Sequence, residues 1–432
     1  MSIAELLANT LSADQQVRSD AEKQLQTFAV NNYGQYAVLL AQELANESAQ
    51  SFIRTSAGLA LKNSLVSNEG QRKLEISQRW LSLEETNRTN IKQTVFMTLS
   101  SADSRASSTA AQVVAAIAAI ELPQGQWPDL IKNMLESIQN TDNSQLKQAT
   151  LTAIGFVCES IVTAQSGSIL TCIVSGARKE EQNQEVRRAA LNALYNSLEF
   201  TRDNFEREGE RNFIMQIVCE ATQSTDVNVQ GAAFECLVRI MQIYYDKMRF
   251  YMEKALFGLT VVGMKHDDER VALQAVEFWS TVCEEEIDLA QEALEAAETG
   301  EQPDRLSHNF AKAALPEILP VLLWLLTKQE EEADEEDWNV SMAAGTCLAL
   351  LAQCVEDAVV GPVIPFVENH IRSSEWRFRE AAVMAFGSIL EGPDHKMLAN
   401  LVNQALPVLI EMMKDPSPQV KDTTAWTLGR VS

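Results

Sequence analysis

The sequence predicts an all-α protein in which paired helices stack into a right-handed solenoid. Three observations predict this fold class. An apolar three-residue template with four-residue spacing recurs along the chain, and most successive copies lie about 40 residues apart. Apolar residues make up 46% of the 432 residues, whereas aromatic residues make up only 6%. Small and aliphatic side chains therefore dominate the apolar residues, which suits close packing between helices.

The template has an apolar residue, a small or apolar residue four positions later, and a large apolar residue four positions after that. Spacing by four places the three side chains on one face of a helix, and the small central residue lets a neighbouring helix approach closely. In chain order the copies are Val17/Ala21/Leu25, Ile53/Ala57/Leu61, Ala106/Ala110/Val114, Leu146/Thr150/Ile154, Val186/Ala190/Leu194, Val229/Ala233/Leu237, Val271/Ala275/Trp279, Val340/Ala344/Leu348, Phe378/Ala382/Phe386 and Val420/Thr424/Leu428. The residues that often follow the first position are basic: Arg18, Arg54, Arg187, Arg379 and Lys421.

A second apolar segment lies between successive copies, for example at 129–138, 213–221 and 405–413. Each repeat therefore has an A helix, a short turn and a B helix that carries the template. A period of about 40 residues is that of HEAT and armadillo repeats. We expect one superhelix of about ten HEAT repeats over residues 1–432. Because no polar cap follows the tenth B helix, we expect it to be the N-terminal fragment of a longer protein.

Two intervals between copies are longer than the rest. The interval after the second copy holds an extra segment, 71–83, with Trp80. The interval after the seventh copy holds an extra segment, 290–307, and then an acidic run. Insertions in solenoids tend to lie on one face, which is often the binding face.

The acidic run is expected to be an exposed loop at 330–338, inside repeat eight. Seven of its first eight residues are Asp or Glu, and Trp338 closes it. So many like charges repel one another within a helix and cannot enter a core. A loop that only keeps the protein soluble is the alternative for any such run.

The charge balance excludes some classes of partner. With 60 acidic and 35 basic residues, the formal net charge is −25, whereas nucleic acids and anionic membranes require a basic face. A basic protein partner fits better. The chain begins without a signal peptide and has no unbroken run of 18 apolar residues, so we expect no membrane span. Seven cysteines without C-x-x-C spacing, mostly inside apolar runs, indicate buried thiols in a reducing compartment.

The sequence contains no recognisable catalytic or metal-binding motif. Its four histidines are scattered, and none has a cysteine or a second histidine at ligand spacing. Phosphate-binding, dinucleotide-binding, serine-hydrolase and zinc-protease motifs are absent. The run His266–Glu269 is explained as acidic capping of the seventh B helix. We therefore expect neither an enzyme nor a cofactor or metal site.

Several stretches along the whole chain carry a specific resemblance. They are 60–65 (ALKNSL), 121–123 (ELP) with 126–128 (QWP), 192–194 (NAL) with 197–198 (SL), 215–216 (MQ) with 218–223 (VCEATQ), 277–280 (EFWS), the acidic run ending at 337–339 (DWN), 381–387 (AAVMAFG) and 424–426 (TAW). In these stretches the chain resembles the N-terminal half of the importin-β (karyopherin-β) family. Ala333 slightly dilutes the acidic run of that family.

The resemblance implies a monomeric nuclear import receptor that shuttles between cytoplasm and nucleus. Such a receptor binds Ran-GTP and the Phe-Gly repeats of nucleoporins, and carries cargo through nuclear pores. It implies Ran contacts on the first repeats and near repeats seven and eight. It also implies that the importin-α adaptor or cargo is held mainly by later repeats that this chain lacks. The alternative is a HEAT-repeat scaffold of the phosphatase-regulatory type, which usually has more uniform repeats.

Two glutamates of the predicted seventh B helix are candidate contacts with Ran. Glu277 and Glu284 are seven residues apart, so they project from one face of the seventh B helix. Spacing alone favours ordinary solvated positions, whereas the resemblance favours contacts with a basic surface of Ran. Arg105 could instead balance the nearby Asp103. The full set of residues expected to bind Ran is Lys62, Arg105, Glu277, Glu284, Glu335, Glu336, Asp337 and Trp338.

The resemblance also implies a groove for Phe-Gly peptides between the fifth and sixth A helices, at 169–175 and 211–220. Leu170 and Val174 lie four apart on one helix, and Phe213 and Ile214 lie early in the next. The resemblance places Thr171 and Glu210 at the rim. Periodicity alone favours plain packing between the two helices.

Overall fold

The computed structural model describes residues 2–158, 166–330 and 338–431, and every regular element in them is helical. These residues form two compact units, Met1–Ala221 and Thr222–Ser432. The helices of the first unit are α1 (Ile3–Asn9), α2 (Gln15–Asn31), α3 (Tyr33–Ala45), α4 (Ser51–Asn63), α5 (Gly70–Leu81), α6 (Glu85–Thr98), α7 (Ser104–Glu121), α8 (Leu130–Gln139), α9 (Ser144–Val157), α10 (Ser166–Ala177), α11 (Gln184–Ser197), α12 (Arg202–Glu206) and α13 (Glu208–Ala221).

The second unit continues the series. Its helices are α14 (Val227–Tyr244), α15 (Arg249–Tyr251) with a π-helical turn (Met252–Leu256), α16 (Phe257–Met264), α17 (Glu269–Thr299), α18 (Phe310–Leu325), α19 (Val340–Val355), α20 (Val360–His370), α21 (Trp376–Ser388), α22 (His395–Met412) and α23 (Pro418–Val431). All copies of the template lie on helices: on α2, α4, α7, α9 and α11 in the first unit, and on α14, α17, α19, α21 and α23 in the second. The prediction of ten B helices is therefore confirmed, whereas the single-domain organisation stays a prediction.

Burial explains the template. Its small central residue is buried on every B helix, whereas the outer two residues vary from buried to exposed. Neighbouring B helices pack along each other, as α9 does with α11 and α17 with α19. A small side chain at the centre of the contact is what this close approach requires.

Side-chain caps set where the B helices begin. Seven of them follow an Asp or Asn whose side chain accepts a hydrogen bond from the first turn, which satisfies one of the free backbone N–H groups there. Six of these caps lie three residues before the first template position. Asp14 before Val17 and Asp226 before Val229 are examples. The cap and the template together define the register of each B helix.

Arg18, Arg54 and Arg379, which follow the first template position, donate to carbonyl groups of the preceding turn. Arg18 Nη1 donates to the carbonyl oxygens of Ser12 and Ala13. Arg54 is buried, donates from Nε to the carbonyl of Leu44 at 2.8 Å, and forms a two-point ion pair with Glu47. These bonds satisfy carbonyls that would otherwise lack a partner at the turn between the A and B helices.

The first extra segment is a helix, α5, that packs through Trp80. The indole N–H of this buried residue donates to Glu121 at 3.0 Å. Glu121 is fully buried at the end of α7 and also accepts hydrogen bonds from Arg88 and Lys92 of α6. The charge of the buried carboxylate is therefore paired, as burial of a charge requires.

The second extra segment differs from the prediction. Its first residues do not separate repeats seven and eight but extend α17, which runs to Thr299 and ends at Gly300 with φ of 75°. The residues that follow return along α17, where Arg305 pairs with Glu285 at 2.6 Å and with Glu292 at 2.8 Å. Periodicity did not reveal the extension because no template copy lies in it.

Buried Glu286 of α17 joins three elements. One of its carboxylate oxygens accepts the hydroxyl of Tyr245 at 2.7 Å and the backbone N–H of Phe310 at 2.6 Å. The other accepts the N–H of Ala311 at 3.1 Å. This glutamate therefore caps α18 from a neighbouring helix, and α18 needs it because its own N-cap, Asn309, makes no such bond.

Two helical stretches among the described residues are long and apolar enough to cross a membrane, Ser104–Gln124 and Val340–His370. Neither stretch is an unbroken apolar run, so the criterion of 18 consecutive apolar residues does not detect them. Ser104–Gln124 is mostly buried inside the protein, as a core helix is. Val340–His370 is interrupted at Glu356, whose φ is 50°, and consists of α19 and α20. Packing between helices thus accounts for the apolar composition of Ser104–Gln124.

Candidate functional site

Two glutamates of α17 form an exposed anionic surface. Glu277 and Glu284 are both exposed, whereas Trp279 and Cys283 between them are fully buried. Partial desolvation raises the pKa of Glu277, and the negative charge of Glu284 raises it further. The two carboxylates therefore act on each other electrostatically, and both project away from the buried face of the helix.

This surface borders the next B helix, α19. Burial raises the pKa of the Cys347 thiol on α19 to about 12, and the charges of Glu277 and Glu284 contribute to the shift. The carboxylates thus lie close to the seam at which α17 and α19 pack together. A cation that approached this seam would find two negative charges on one side.

The acidic run lies mostly outside the described residues, and so do three of the predicted Ran contacts, Glu335, Glu336 and Asp337. The fourth, Trp338, has 55% of its surface exposed. The chain is anchored directly after it. Asn339 caps α19, and the backbone N–H of Val340 donates to Glu269 Oε1 of α17 at 2.8 Å.

The residue before the run is anchored to a different helix. Gln329 Nε2 donates to the carbonyl of Arg377 at 2.8 Å and to the carboxylate of Glu380, both on α21. Arg377 Nε donates back to the carbonyl of Gln329 at 3.2 Å. The two ends of the acidic run are therefore held against helices that flank α19 on either side.

The two basic candidates lie on adjacent B helices of the first unit. Lys62 is half-buried in the last turn of α4, and Arg105 is exposed in the first turn of α7. Asp103 does not depend on the side chain of Arg105. It caps α7 by accepting the backbone N–H groups of Arg105 and Ala106, and it lies 3.9 Å from the guanidinium of Arg54.

The predicted Phe-Gly groove lies between α10 and α13, which are neighbours in the first unit. Leu170, Val174 and Ile214 are buried there, whereas 40% of the surface of Phe213 is exposed. The guanidinium of Arg178, at the end of α10, lies 5.3 Å from the centre of the Phe213 ring. The accessible apolar surface of this groove is therefore mainly the Phe213 ring.

The two predicted rim residues are exposed. The hydroxyl of Thr171 donates to the carbonyl of Gly167 one turn earlier at 2.8 Å. Glu210 is paired with Arg207, whose Nη2 donates to it at 2.9 Å, and it also accepts Asn204 Nδ2 at 2.6 Å. The hydrogen bond from Arg207 lowers the pKa of Glu210. A ligand at this rim meets a carboxylate that is already partly neutralised.

Sequence reasoning missed the residues that anchor the acidic run, Glu269, Gln329, Arg377 and Glu380. Their hydrogen bonds, which hold Gln329 before the run and Val340 after it, join residues far apart in the chain. No local sequence pattern therefore marks them. The caps that start the B helices were readable, because Asp or Asn three residues before an apolar template position is a local signal.

Comparison with known proteins identifies the class. The family model described as "Importin-beta N-terminal domain" matches residues 21–101, and the one described as "HEAT-like repeat" matches 376–431. The chain is 57% identical over 436 residues to importin subunit beta-1 of Schizosaccharomyces pombe, and 46% identical to that of Saccharomyces cerevisiae. These alignments cover 100% and 99% of this chain, and 50% of each relative.

Solved structures agree with the sequence relatives. The structure of yeast importin-β (Kap95p) matches with a TM-score of 0.94 at 45% identity, covering all of this chain and 51% of that one. A structure described by Kap95p binding that "induces the switch loops of RanGDP to adopt the GTP-bound conformation" matches at 0.92, and a Kap95:Nup1 complex matches at 0.90. Both are 46% identical and cover 99% of this chain and 50% of theirs.

The fold and these matches define a HEAT-repeat protein of the importin-β type. The chain belongs to the importin-β family and matches the N-terminal half of its members. It spans about half the length of the curated relatives it matches. The HEAT-repeat fold and the family resemblance inferred from sequence are thereby confirmed.

Proposed function

We propose that this chain serves in a nuclear import receptor that binds Ran-GTP and Phe-Gly nucleoporins and carries cargo through nuclear pores. The observation that carries the proposal is the likeness over the whole chain to importin subunit beta-1, at 57% identity. The related complexes with Ran and with Nup1 support the two partners. Such a receptor shuttles between cytoplasm and nucleus, and it holds the importin-α adaptor or cargo mainly through repeats beyond this chain.

The Ran contacts are proposed at the anionic surface of α17 and the acidic run beside it. Glu277, Glu284 and Trp338 are exposed there, and the chain carries a formal net charge of −25. A negative surface attracts a partner with a basic face and raises the rate of encounter. Lys62 and Arg105 are proposed as a second set of contacts on α4 and α7.

The nucleoporin contacts are proposed at the α10/α13 groove. A phenylalanine side chain would pack on the exposed ring of Phe213 and against the edges of Leu170, Val174 and Ile214, with Thr171 and Glu210 at the rim. Complete burial of one phenylalanine is worth roughly 1.5–3 kcal/mol, and association entropy consumes much of it. A single Phe-Gly repeat should therefore bind weakly, and many repeats on one nucleoporin would add avidity.

A catalytic role is not part of this proposal. The relatives are transport receptors. In the described parts of the chain, no group of three or more His, Cys, Asp or Glu residues is arranged to hold a metal ion. The scaffold alternative is not favoured, because residues 21–101 match the Importin-beta N-terminal domain and the relatives along the whole chain are importin subunits.

Two binding measurements test the function. Immobilised Ran loaded with GTP should retain the chain more strongly than Ran loaded with GDP. Immobilised Phe-Gly peptide should retain it, and a matched peptide with Ser in place of Phe should not. Retention by neither Ran-GTP nor Phe-Gly peptide would overturn the proposal and favour a scaffold.

A further inference from the structure

A second groove, which sequence analysis did not predict, lies between α18 and α20 in the second unit. It forms an open cavity of about 500 Å³. Its walls are mostly apolar, and they include Leu315, Leu319 and Leu323 from α18 and Phe366 from α20. The cavity is preformed, so an occupant would not have to open it.

Prolines form part of the wall of this groove. Pro316, Pro320 and Pro362 line it. A proline ring is compact, and it loses no side-chain rotamer freedom when a ligand covers it. Leu319, which is part of the wall, is almost fully buried, so packing restricts its movement into the cavity. A preformed apolar cavity of this kind lowers the cost of binding.

Aromatic side chains form the remaining wall and the rim. The ring of His370 lies 4.7 Å from that of Phe366 and 5.0 Å from that of Phe378. At the rim, 44% of the surface of Trp324 is exposed, and Lys328 Nζ lies 4.3 Å from the centre of its ring. Edge and face contacts with such rings favour an aromatic ligand over an aliphatic one of similar size.

Size and charge narrow the occupant further. A cavity of about 150 Å³ lined by apolar residues suffices to bind benzene, so this groove has room for two aromatic side chains. In an extended peptide, residues two apart point to the same side at about 6.5–7 Å. No carboxylate lines the groove, so a basic peptide finds no partner there, and the formal net charge of −25 disfavours an acidic one. The groove therefore suits an uncharged peptide better than a charged one.

We propose that the α18/α20 groove is a further binding site for an uncharged, extended peptide that inserts two aromatic side chains spaced two residues apart. The proposal rests on the proposed function, because Phe-Gly nucleoporin segments are the partner of this chemistry. It adds a second groove, on a different pair of helices, to the α10/α13 groove. One chain would then hold two segments of a repetitive peptide at once.

The test uses a fluorescent, glycine-rich peptide with two phenylalanines separated by one residue, titrated into the 432-residue chain. Val174→Asp places a charge in the α10/α13 groove and removes that site from the measurement. In this background we expect residual peptide binding, and Trp324→Ala should weaken it roughly tenfold. Trp426→Ala is the matched control, because Trp426 is similarly exposed (42%) and also carries a cation, Arg430, at 5.2 Å from its ring. It should leave binding unchanged.

A peptide carrying benzoylphenylalanine at one aromatic position maps the site directly. Crosslinks within 315–327 or 362–378 are expected in the Val174→Asp background, and their loss in Trp324→Ala would support the groove without reliance on affinity. Circular dichroism verifies that each variant is folded. If Trp324→Ala unfolds the chain, the position of the crosslinks in the Val174→Asp background remains the test, and crosslinks confined to other helices would contradict the groove.

Three outcomes would overturn the groove. Complete loss of peptide binding in Val174→Asp alone, with Ran binding intact, would leave the proposed function standing and remove the second site. Failure of the wild-type chain to bind the peptide at all would defeat the proposed nucleoporin contact as well. Concentration-dependent dimerisation in sedimentation experiments, abolished by Trp324→Ala, would assign the groove to a second copy of this chain.

Discussion

At the scale of single residues, substitution of Val174 tests whether α10 and α13 form a binding groove or only pack against each other. It is buried between α10 and α13, so Val174→Asp should abolish Phe-Gly binding at that groove, a loss of roughly 1.5–3 kcal/mol. Helicity and Ran-GTP binding should persist, because the Ran contacts proposed at α17 lie on other helices. Val174→Ala, which adds no charge, should lose much less. Loss of helicity, Ran binding and Phe-Gly binding together would identify Val174 as a core residue.

The charges of Glu277 and Glu284 are expected to act mainly on the rate of association. Reversing both to Lys should slow association with Ran-GTP about tenfold at low salt. It should also flatten the salt dependence, because fewer attractive charges remain for salt to screen. The screening length is about 10 Å at 0.1 M salt. Stopped-flow measurements over a salt series give both quantities. Reversal of Glu298 and Glu301, which are exposed near the far end of α17, is the control and should have a smaller effect.

Glu380 should make stability depend on pH. It is buried on α21 and accepts hydrogen bonds from Thr423 at 2.6 Å and from Gln329, and burial raises its pKa above 4.5. A raised folded-state pKa favours the protonated form, so its contribution is fully present below pH 4.5 and is lost as the pH rises through the folded-state pKa.

Glu380→Gln should therefore raise the melting temperature at pH 7, by an amount that shrinks as the pH falls towards 4.5. Exposed Glu375 lies just before the same helix, and Glu375→Gln should change little at either pH. A Glu380→Gln variant that is less stable than wild type at pH 7 would mean that the ionised carboxylate is favourable there.

At the scale of elements, the helices differ in how firmly they are held. Among the eighteen residues of α22, only Leu409 and Met412 are buried, whereas most residues of α7 are. Local opening has a low free energy where few apolar contacts hold an element. Amide hydrogen exchange in α22 should therefore be faster than in α7, by at least tenfold. Equal protection in the two helices would contradict this expectation.

At the scale of the whole molecule, net charge should oppose folding. With 60 acidic and 35 basic residues, carboxylates repel one another more than basic residues attract them, and the compact state brings them closer together. Raising sodium chloride from 10 to 150 mM should therefore raise the melting temperature by a few degrees. A melting temperature that falls over this range would mean that favourable ion pairs outweigh the repulsion.

The sequence by itself determined the fold class, the positions of the B helices and the family. These features depend on local spacing, because residues four apart share one face of a helix wherever the helix lies. The template copies from Val17 to Leu428 can therefore be recognised from the sequence alone, and so can caps such as Asp14. Family stretches such as 277–280 are likewise contiguous in the chain.

Only the tertiary structure decided which template faces and insertions form surfaces. Phe213 and Ile214 are neighbours in sequence, yet 40% of the first is exposed and the second is buried, because adjacent positions of a helix point in different directions. Glu286 caps α18 from another helix, and Glu269 holds the chain after the acidic run, although each partner is distant in sequence. The α18/α20 groove depends on how two A helices are spaced. Such contacts arise from stacking between repeats, and no periodicity within a single repeat encodes them.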